Sequence, residues 1–324
     1  MKISFIAWEV LSRRSELLAQ QLGADLHFVP HRRARRTIIN APIRYIAHAV
    51  ETWRILGKEQ PNIVFVQNPP IFCALIAFLY SRRNAAAYAL DSHTGAFTSP
   101  KWRWLSGLHR MLSRHALVNI VHNESVAKFI KPWKCDYLVI SLIPGDYPKD
   151  DDFPFARDFN VAVVNTFTAD EPLETVFEAA EQLPDVDFYV TGDSKRITPW
   201  LLDKKPPNCH LTGFLEYPSY IALLRGADAV MDLTTRDHTV LMGGFEAIAI
   251  GTPLITSDWP VLVDCFSLGT VHVPNTAEGI RAGVREVQQN HQSLKQGILS
   301  LREKLDHEWS EGFARLKELL ALPE

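Results

Sequence analysis

Short apolar runs alternate with longer amphipathic stretches along nearly the whole chain. In the first half, the runs at 2–7, 25–29, 62–66, 86–90, 117–121 and 137–141 have the length and composition of strands. Between them, apolar positions recur at helical spacing near 13–22, 42–58, 70–80, 101–114 and 123–130. The second half repeats the pattern, with strands expected near 160–165, 186–191, 209–212, 228–232, 253–256 and 269–273. A final stretch rich in Leu, Glu and Lys reads as amphipathic helix. Alternation of this kind builds a parallel sheet covered on both faces. A chain of 324 residues is long for one core and comfortable for two of about 150. The expectation is an α/β protein with two doubly wound, Rossmann-like domains facing each other across a cleft. They cover residues 1–145 and 158–300, joined by a Pro-rich, acidic linker at 146–157. The terminal helix, 301–324, is a candidate to cross back to the first domain.

Composition narrows the class. Hydrophobic residues make up 47% of the chain and the mean hydropathy is −0.05, values of a soluble globular protein. Cys73, Cys135, Cys209 and Cys265 are dispersed without a Cys-x-x-Cys pair, which argues against a disulfide framework or zinc site and fits a reducing compartment. The opening run reads as a buried strand rather than a signal peptide, and the longest apolar run, 71–80, is too short to span a bilayer. A cytoplasmic location follows as the expectation. The net charge of −3 conceals a division: residues 1–150 hold 20 Lys and Arg against 10 Asp and Glu, and residues 151–324 hold 14 against 27. A basic half calls for a phosphate-bearing partner, either nucleic acid or an anionic membrane.

The richest chemistry lies at Gly243-Gly244-Phe245-Glu246-Ala247, which opens a helix that ends at Gly251-Thr252-Pro253. A helix N-terminus offers unpaired N–H groups to a phosphate, and glycines there permit close approach. Glu246, one turn in, can accept from both hydroxyls of a ribose; the plain alternative is a solvated Glu on an ordinary helix–strand connection. The segment resembles the donor-site signature of family 4 glycosyltransferases and their relatives with the GT-B fold, in which Glu-Ala-x-Ala-x-Gly-x-Pro holds the ribose and diphosphate of a sugar nucleotide. The strand ending at Gly192-Asp193, the turn at Gly213-Phe214 and the helix leading into Ala227-Asp228 follow the same template, in the same order, over residues 160 to 290. The resemblance implies a GT-B glycosyltransferase with a donor site including Glu246, Gly243, Gly244, Gly192, Asp193, Phe214, Thr235 and His238.

Three strand-end loops of the first domain carry further candidates. After the first strand, where GT-B relatives have a Gly-rich loop, the chain has Trp8-Glu9-Val10-Leu11-Ser12-Arg13-Arg14, so Arg13 or Arg14 could supply charge to donor phosphates unless both are simply solvated. Gln67-Asn68-Pro69-Pro70 and Asp91-Ser92-His93 are similar to loop motifs of the chitobiosyldiphosphodolichol β-mannosyltransferases, which act on lipid-linked acceptors. That resemblance implies an acceptor contact at Asn68. An imidazole at a strand end can take the acceptor proton, which makes His93 the candidate base, with Asp91 an equal contender and Glu9 next. A structural His bonded to a carbonyl is the rival reading.

The chain departs from the family 4 pattern in two places. The Arg and Lys expected after the first strand of the second domain are absent from Val164-Asn165-Thr166-Phe167-Thr168, and His238 stands where a second Glu is expected. Counter-charge for a diphosphate then falls to Arg236, with Lys195 and Arg196 behind it. These departures favour inversion over retention. Neither Asp150 to Asp152 nor Asp185 and Asp187 stands where a catalytic ion would need them, so no metal and no cofactor beyond the sugar nucleotide is expected. For the basic half, Arg32, Arg33, Arg35 and Arg36 precede an amphipathic stretch, and Trp102 and Trp104 alternate with Lys101 and Arg103, a composition suited to an anionic membrane interface or to a solvated face with buried Trp. Nucleic acid is disfavoured by the pI of about 6.5 and the absence of a recognition motif. The function expected is transfer of a sugar to a lipid-linked or cell-envelope glycan by a protein peripheral to the inner face of the plasma membrane. The alternatives are a nucleotide-sugar epimerase of the same fold and a non-catalytic GT-B subunit that anchors or activates a partner.

Overall fold

The computed structural model describes residues 1–29, 41–141, 143, 145, 147–149 and 152–321. The chain forms two compact units, Met1–Gly145 with His307–Glu324, and Asp146–Asp306. Each is built on one six-stranded, all-parallel sheet.

In unit 1 the strands are β1 (Ile3–Ala7), β2 (Asp25–Phe28), β3 (Ile63–Asn68), β4 (Ala87–Ser92), β5 (Asn119–Val121) and β6 (Tyr137–Val139), in the order β2-β1-β3-β4-β5-β6. Successive side chains of a strand point to opposite faces, and both faces here are buried. Ile3 and Phe5 of β1 join Ile63 and Phe65 of β3 in one cluster, beneath Leu17 and Leu18 of α1 (Arg13–Leu22). Ile6, Val64, Val66 and Leu90 enter a second cluster with α2 (Ala41–Glu59) and α3 (Ile71–Arg83). The near-continuous apolar reading of these strands thus comes from burial on two sides. Beyond β4 the helices are short: α4 (Thr94–Thr98), α5 (Pro100–Arg103), α6 (Ser106–His115) and α7 (Glu124–Ile130). The single helix expected at 101–114 is therefore broken at Trp104 and Leu105. Ser106 and Gly107, poor helix formers, follow the break, and it lets the two tryptophans part: Trp102 packs inside against Tyr45 and Phe72, while Trp104 is exposed.

Unit 2 contains β7 (Asn160–Val163), β8 (Asp187–Thr191), β9 (Cys209–Gly213), β10 (Ala229–Asp232), β11 (Leu254–Ser257) and β12 (Thr270–Val273), in the order β12-β11-β10-β7-β8-β9. Read from the other edge this is third, second, first, fourth, fifth, sixth, the nucleotide-binding order of Rossmann sheets. Its helices are α8 (Leu173–Glu181), α9 (Pro199–Asp203), α10 (Tyr217–Gly226), α11 (Met242–Ile250), α12 (Pro260–Cys265) and the long α13 (Ala277–Leu319), kinked at Asn290. Ile280, Val284 and Val287 of α13 pack into the core of unit 2, and Trp309 and Leu316 of the same helix into that of unit 1. Among the described residues, no helix is long and apolar enough to cross a membrane.

Candidate active site

In unit 1 the chain direction across the sheet reverses between β1 and β3, and the carboxyl ends of these strands and of β4 gather the polar groups. Ser12 caps α1 by accepting from Ser15 N at 3.3 Å, which sets Arg14 in the first turn facing the sheet. Arg14 is buried and its Nε lies 3.3 Å from both carboxylate oxygens of Asp91. Its other nitrogens donate to Ile140 O at 2.8 Å and Ser141 O at 3.0 Å, so all of the guanidinium is engaged within the fold. Arg13, the other candidate for phosphate contact, meets Glu16 at 3.4 Å on the same helix.

Asp91, the penultimate residue of β4, has no solvent exposure. Burial pushes its carboxyl up, but Arg14, His93 and His122 outweigh that and hold it well below the usual carboxylate range. An ion so stabilised is a poor proton acceptor, which leaves His93 as the base of the pair. His93 Nε2 lies 3.2 Å from Asp91 Oδ2, and its backbone N–H donates to Asn68 O at 2.7 Å. With Nε2–H donating to Asp91, Nδ1 is the free lone pair. The ring keeps 24% of its side-chain surface exposed while its partner keeps none, as a base facing substrate requires. His122, just past β5, stands edge-on to His93 at 4.4 Å between centroids, and burial with the nearby charge of Arg14 pushes its imidazole well below its ordinary value.

Ligand atoms of Asp91, His93 and His122 lie within 4.8 Å of one another, close enough to hold a cation. Arg14 already faces both oxygens of the carboxylate and cancels the charge that would draw one. Asn68 is fully buried, its amide nitrogen 2.8 Å from His109 Nε2 and 3.3 Å from Ser92 Oγ; it braces the loop that carries His93 rather than reaching an acceptor. Glu9 follows the buried Trp8 beyond the end of β1 and is half-buried.

In unit 2 the corresponding reversal falls between β7 and β10. Glu246 on α11 is buried and accepts from Tyr220 Oη at 2.6 Å. Beneath it, Asp232 ends β10 and accepts from Gly244 N at 3.1 Å. Burial first, then Glu246 and Glu171, push the Asp232 carboxyl up to about 8. Sequence reasoning gave the two glycines to an incoming phosphate; the fold uses them otherwise. A Cβ on Gly243 would lie 2.5 Å from Asp232 Oδ2 and one on Gly244 2.7 Å from Phe266, so the glycines admit a carboxylate and a ring of the protein itself. At least one N–H of the α11 N-terminus is thereby taken.

The loop after β10 is ordered around Thr234. Its carbonyl accepts from Trp259 Nε1 at 2.8 Å and Asn275 Nδ2 at 2.9 Å, and its N–H donates to Ser257 Oγ. Thr235 N donates to Asp170 O at 2.7 Å, and Arg236 meets Asp170 Oδ1 at 3.1 Å while its side chain stays 65% exposed. His238, at φ +60°, pairs with Asp237. Gly192, at φ +112°, has no room for a Cβ beside Asn165 O, which brings the loops after β7 and β8 together; Asp193 caps the following turn by accepting from Lys195 N at 3.1 Å. The Lys195 side chain and Phe214 stand exposed on the surface. Glu246, Gly243, Gly244, Thr235 and Arg236 thus line the edge where a Rossmann sheet binds its ligand. Arg32, Arg33, Arg35 and Arg36 lie outside the described residues.

Residues 171–318 match a family model described as glycosyl transferase-like. No curated protein sequence matches the chain. Sucrose-phosphate synthase from Thermosynechococcus elongatus superposes with a TM-score of 0.76 at 12% identity, over 99% of this chain and 98% of that one. Anabaena HepE, crystallised with UDP and glucose, superposes at 0.68 with 11% identity over 98% and 99%. A putative UDP-N-acetylglucosamine 2-epimerase from Listeria monocytogenes does so at 0.64 with 12% identity over 92% and 91%. The chain has the GT-B fold.

Proposed function

We propose that this protein is a glycosyltransferase that moves a sugar from a nucleoside diphosphate to an acceptor hydroxyl. The observation that carries the reading is the buried Asp91 ion, clamped by Arg14, holding His93 at a strand end in a chain of GT-B fold. His93 Nδ1 takes the acceptor proton as the acceptor oxygen attacks the anomeric carbon. The bond from that carbon to the diphosphate oxygen breaks, and the nucleoside diphosphate leaves. Direct displacement by an activated hydroxyl inverts the anomeric centre. Unit 2 supplies the donor subsite, with Glu246 toward the ribose and Arg236 exchanging Asp170 for phosphate. UDP in the HepE crystal and the glycosyl transferase-like match over 171–318 support a sugar nucleotide as donor. No metal or further cofactor enters this scheme. The acceptor is a lipid-linked or cell-envelope glycan, met by a cytoplasmic protein peripheral to the inner face of the plasma membrane; the net basic charge of residues 1–150 supports this.

The test is turnover of a panel of nucleoside diphosphate sugars with lipid-linked acceptors, wild type against His93→Ala. Turnover should fall roughly 10²–10⁴-fold while nucleotide binding, read by thermal shift, is retained. Near-normal turnover in the variant would move the base elsewhere. Interconversion of the donor sugar without any acceptor would instead favour an epimerase.

A further inference from the structure

Asn68 closes β3 with its side chain fully buried, and it holds the loop that carries His93 in two ways. Its carbonyl accepts from His93 N–H at 2.7 Å, and its Nδ2 lies 3.3 Å from the hydroxyl of Ser92, one residue earlier. The same Nδ2 stands 2.8 Å from Nε2 of His109, on α6. An amide nitrogen only donates, so His109 Nε2 accepts and its proton is on Nδ1. Burial agrees with that assignment, because it pushes the imidazole down to about 4 and keeps it neutral. Anchoring the Asn68 side chain fixes its backbone, and with it the carbonyl that His93 N–H meets.

His109 is itself held firmly, and it reaches both sides of His93. Its buried ring lies 4.9 Å from that of Phe97 and 4.7 Å, edge-on, from that of Trp133. Phe97 belongs to α4, which begins at Thr94, directly after His93. The strand end before the loop and the helix after it therefore pack on one imidazole. The Asp91–Arg14 pair sets the ring of His93, and the His109–Asn68 pair sets its backbone. A reacting group misplaced by about 1 Å can lose on the order of 10²-fold in rate, so a base depends on both.

We propose that His109 is a positioning residue: through Asn68 it fixes the backbone at His93, so that Nε2 stays on Asp91 and Nδ1 stays turned to the acceptor. Buried as it is, His109 touches no substrate. The inference rests on His93 being the base, and it adds the group that aims it.

Three variants separate the hydrogen bond from the packing. Gln carries its amide about as far from the backbone as imidazole Nε2, Asn only as far as Nδ1, and Phe fills the place of the ring without a polar atom. Assays run at a temperature where circular dichroism shows each variant folded. There His109→Phe and His109→Asn, either of which suffices, should lower kcat roughly 10–100-fold with the KM for the sugar nucleotide unchanged. His109→Gln should recover most of that loss. A second readout needs no turnover. In long-range proton–nitrogen spectra of protein labelled at its histidines, His93 is identified by its loss in His93→Ala. It should be the Nε2–H tautomer in wild type and His109→Gln, and a mixture of tautomers in His109→Phe and His109→Asn. Variants that lose stability yet keep the wild-type kcat and a single His93 tautomer would overturn the inference, as would a Gln variant as slow as the Phe variant. If wild type turns over no pair of donor and acceptor, the glycosyltransferase reading fails, and the tautomer alone decides the role of His109.

Discussion

Removing the Arg14 side chain should be the most damaging polar substitution in unit 1, and the structure says by how much and at which pH. Asp91 is fully buried and Arg14 is 7% exposed, so solvent cannot screen the loss of one partner by the other. In Arg14→Met the apolar stem is kept and the charge removed. The carboxylate is left with His93 at 3.2 Å and His122 at 3.9 Å, and the Ile140 and Ser141 carbonyls lose their donor. Breaking a buried pair in this way costs about 3–5 kcal/mol. In wild type the Asp91 carboxyl titrates below its ordinary value of 3.8, so its stabilisation is present above that pH and lost as pH falls through the folded value. In the variant, burial dominates and raises the carboxyl, and the cost is relieved by protonation as pH falls. Protonation in the variant makes the gap between the two proteins widest at neutral pH and narrower toward about pH 4, and loss of the wild-type contribution narrows it further only below that. Urea unfolding of the full chain, followed by circular dichroism over a pH series, measures it. Arg14→Met/Asp91→Leu should recover most of the loss, because no unpaired ion remains. A neutral-pH difference under about 1 kcal/mol, or one that does not shrink with acid, would show that Arg14 is not the counter-ion on which Asp91 depends.

Two further outcomes concern unit 2. Asp232, raised to about 8, stabilises in its protonated form, which is fully present below its ordinary 3.8 and lost as pH rises through 8; Asp232→Asn keeps an acceptor for Gly244 N and should flatten the decline of melting temperature between about pH 5 and pH 9, whereas equal pH slopes would place the titration elsewhere. Gly243→Ala puts a Cβ 2.5 Å from Asp232 Oδ2 and 2.9 Å from Val164, which should cost about 1–3 kcal/mol in chemical denaturation; a neutral substitution would mean that the contact relaxes freely.

Periodicity and strand composition were enough to anticipate both sheets, because two-sided burial makes each parallel strand a dense apolar run that ends abruptly at its polar carboxyl end. That abrupt end is also what exposed Asp91 and His93 to sequence reasoning. What lay beyond reach were partners fixed by register. Arg13 and Arg14 are adjacent and chemically alike, and only the Ser12 cap, by setting the helical phase, decides which of them turns inward to Asp91. His122 sits about thirty positions from His93 and meets it only because β4 and β5 pair, with Ser92 opposite Val121. One signal was available: Asp232 closes an otherwise apolar strand, Ala229–Asp232, and an acid there faces either ligand or a buried partner.

That acid also changes what the glycine pair means. A Gly-Gly sequence at a helix N-terminus is compatible with a phosphate or with a carboxylate from the protein, since both are anions that need the same N–H groups and the same missing Cβ. In this chain the carboxylate of Asp232 occupies the position, and the Arg and Lys expected after β7 are absent as well. This edge therefore gathers Asp232, Glu246 and Glu171, and the arginine in the loop after β10, Arg236, is already shared with Asp170. Raising Asp232 toward neutrality removes one negative charge from that edge. Binding a dianion should then favour the protonated acid, so nucleotide affinity should fall as pH rises through about 8, and Asp232→Asn should abolish that fall. Calorimetric titration with nucleoside diphosphates across this range distinguishes the two cases. A pH-independent affinity in wild type would mean that Asp232 serves only to pack the start of α11.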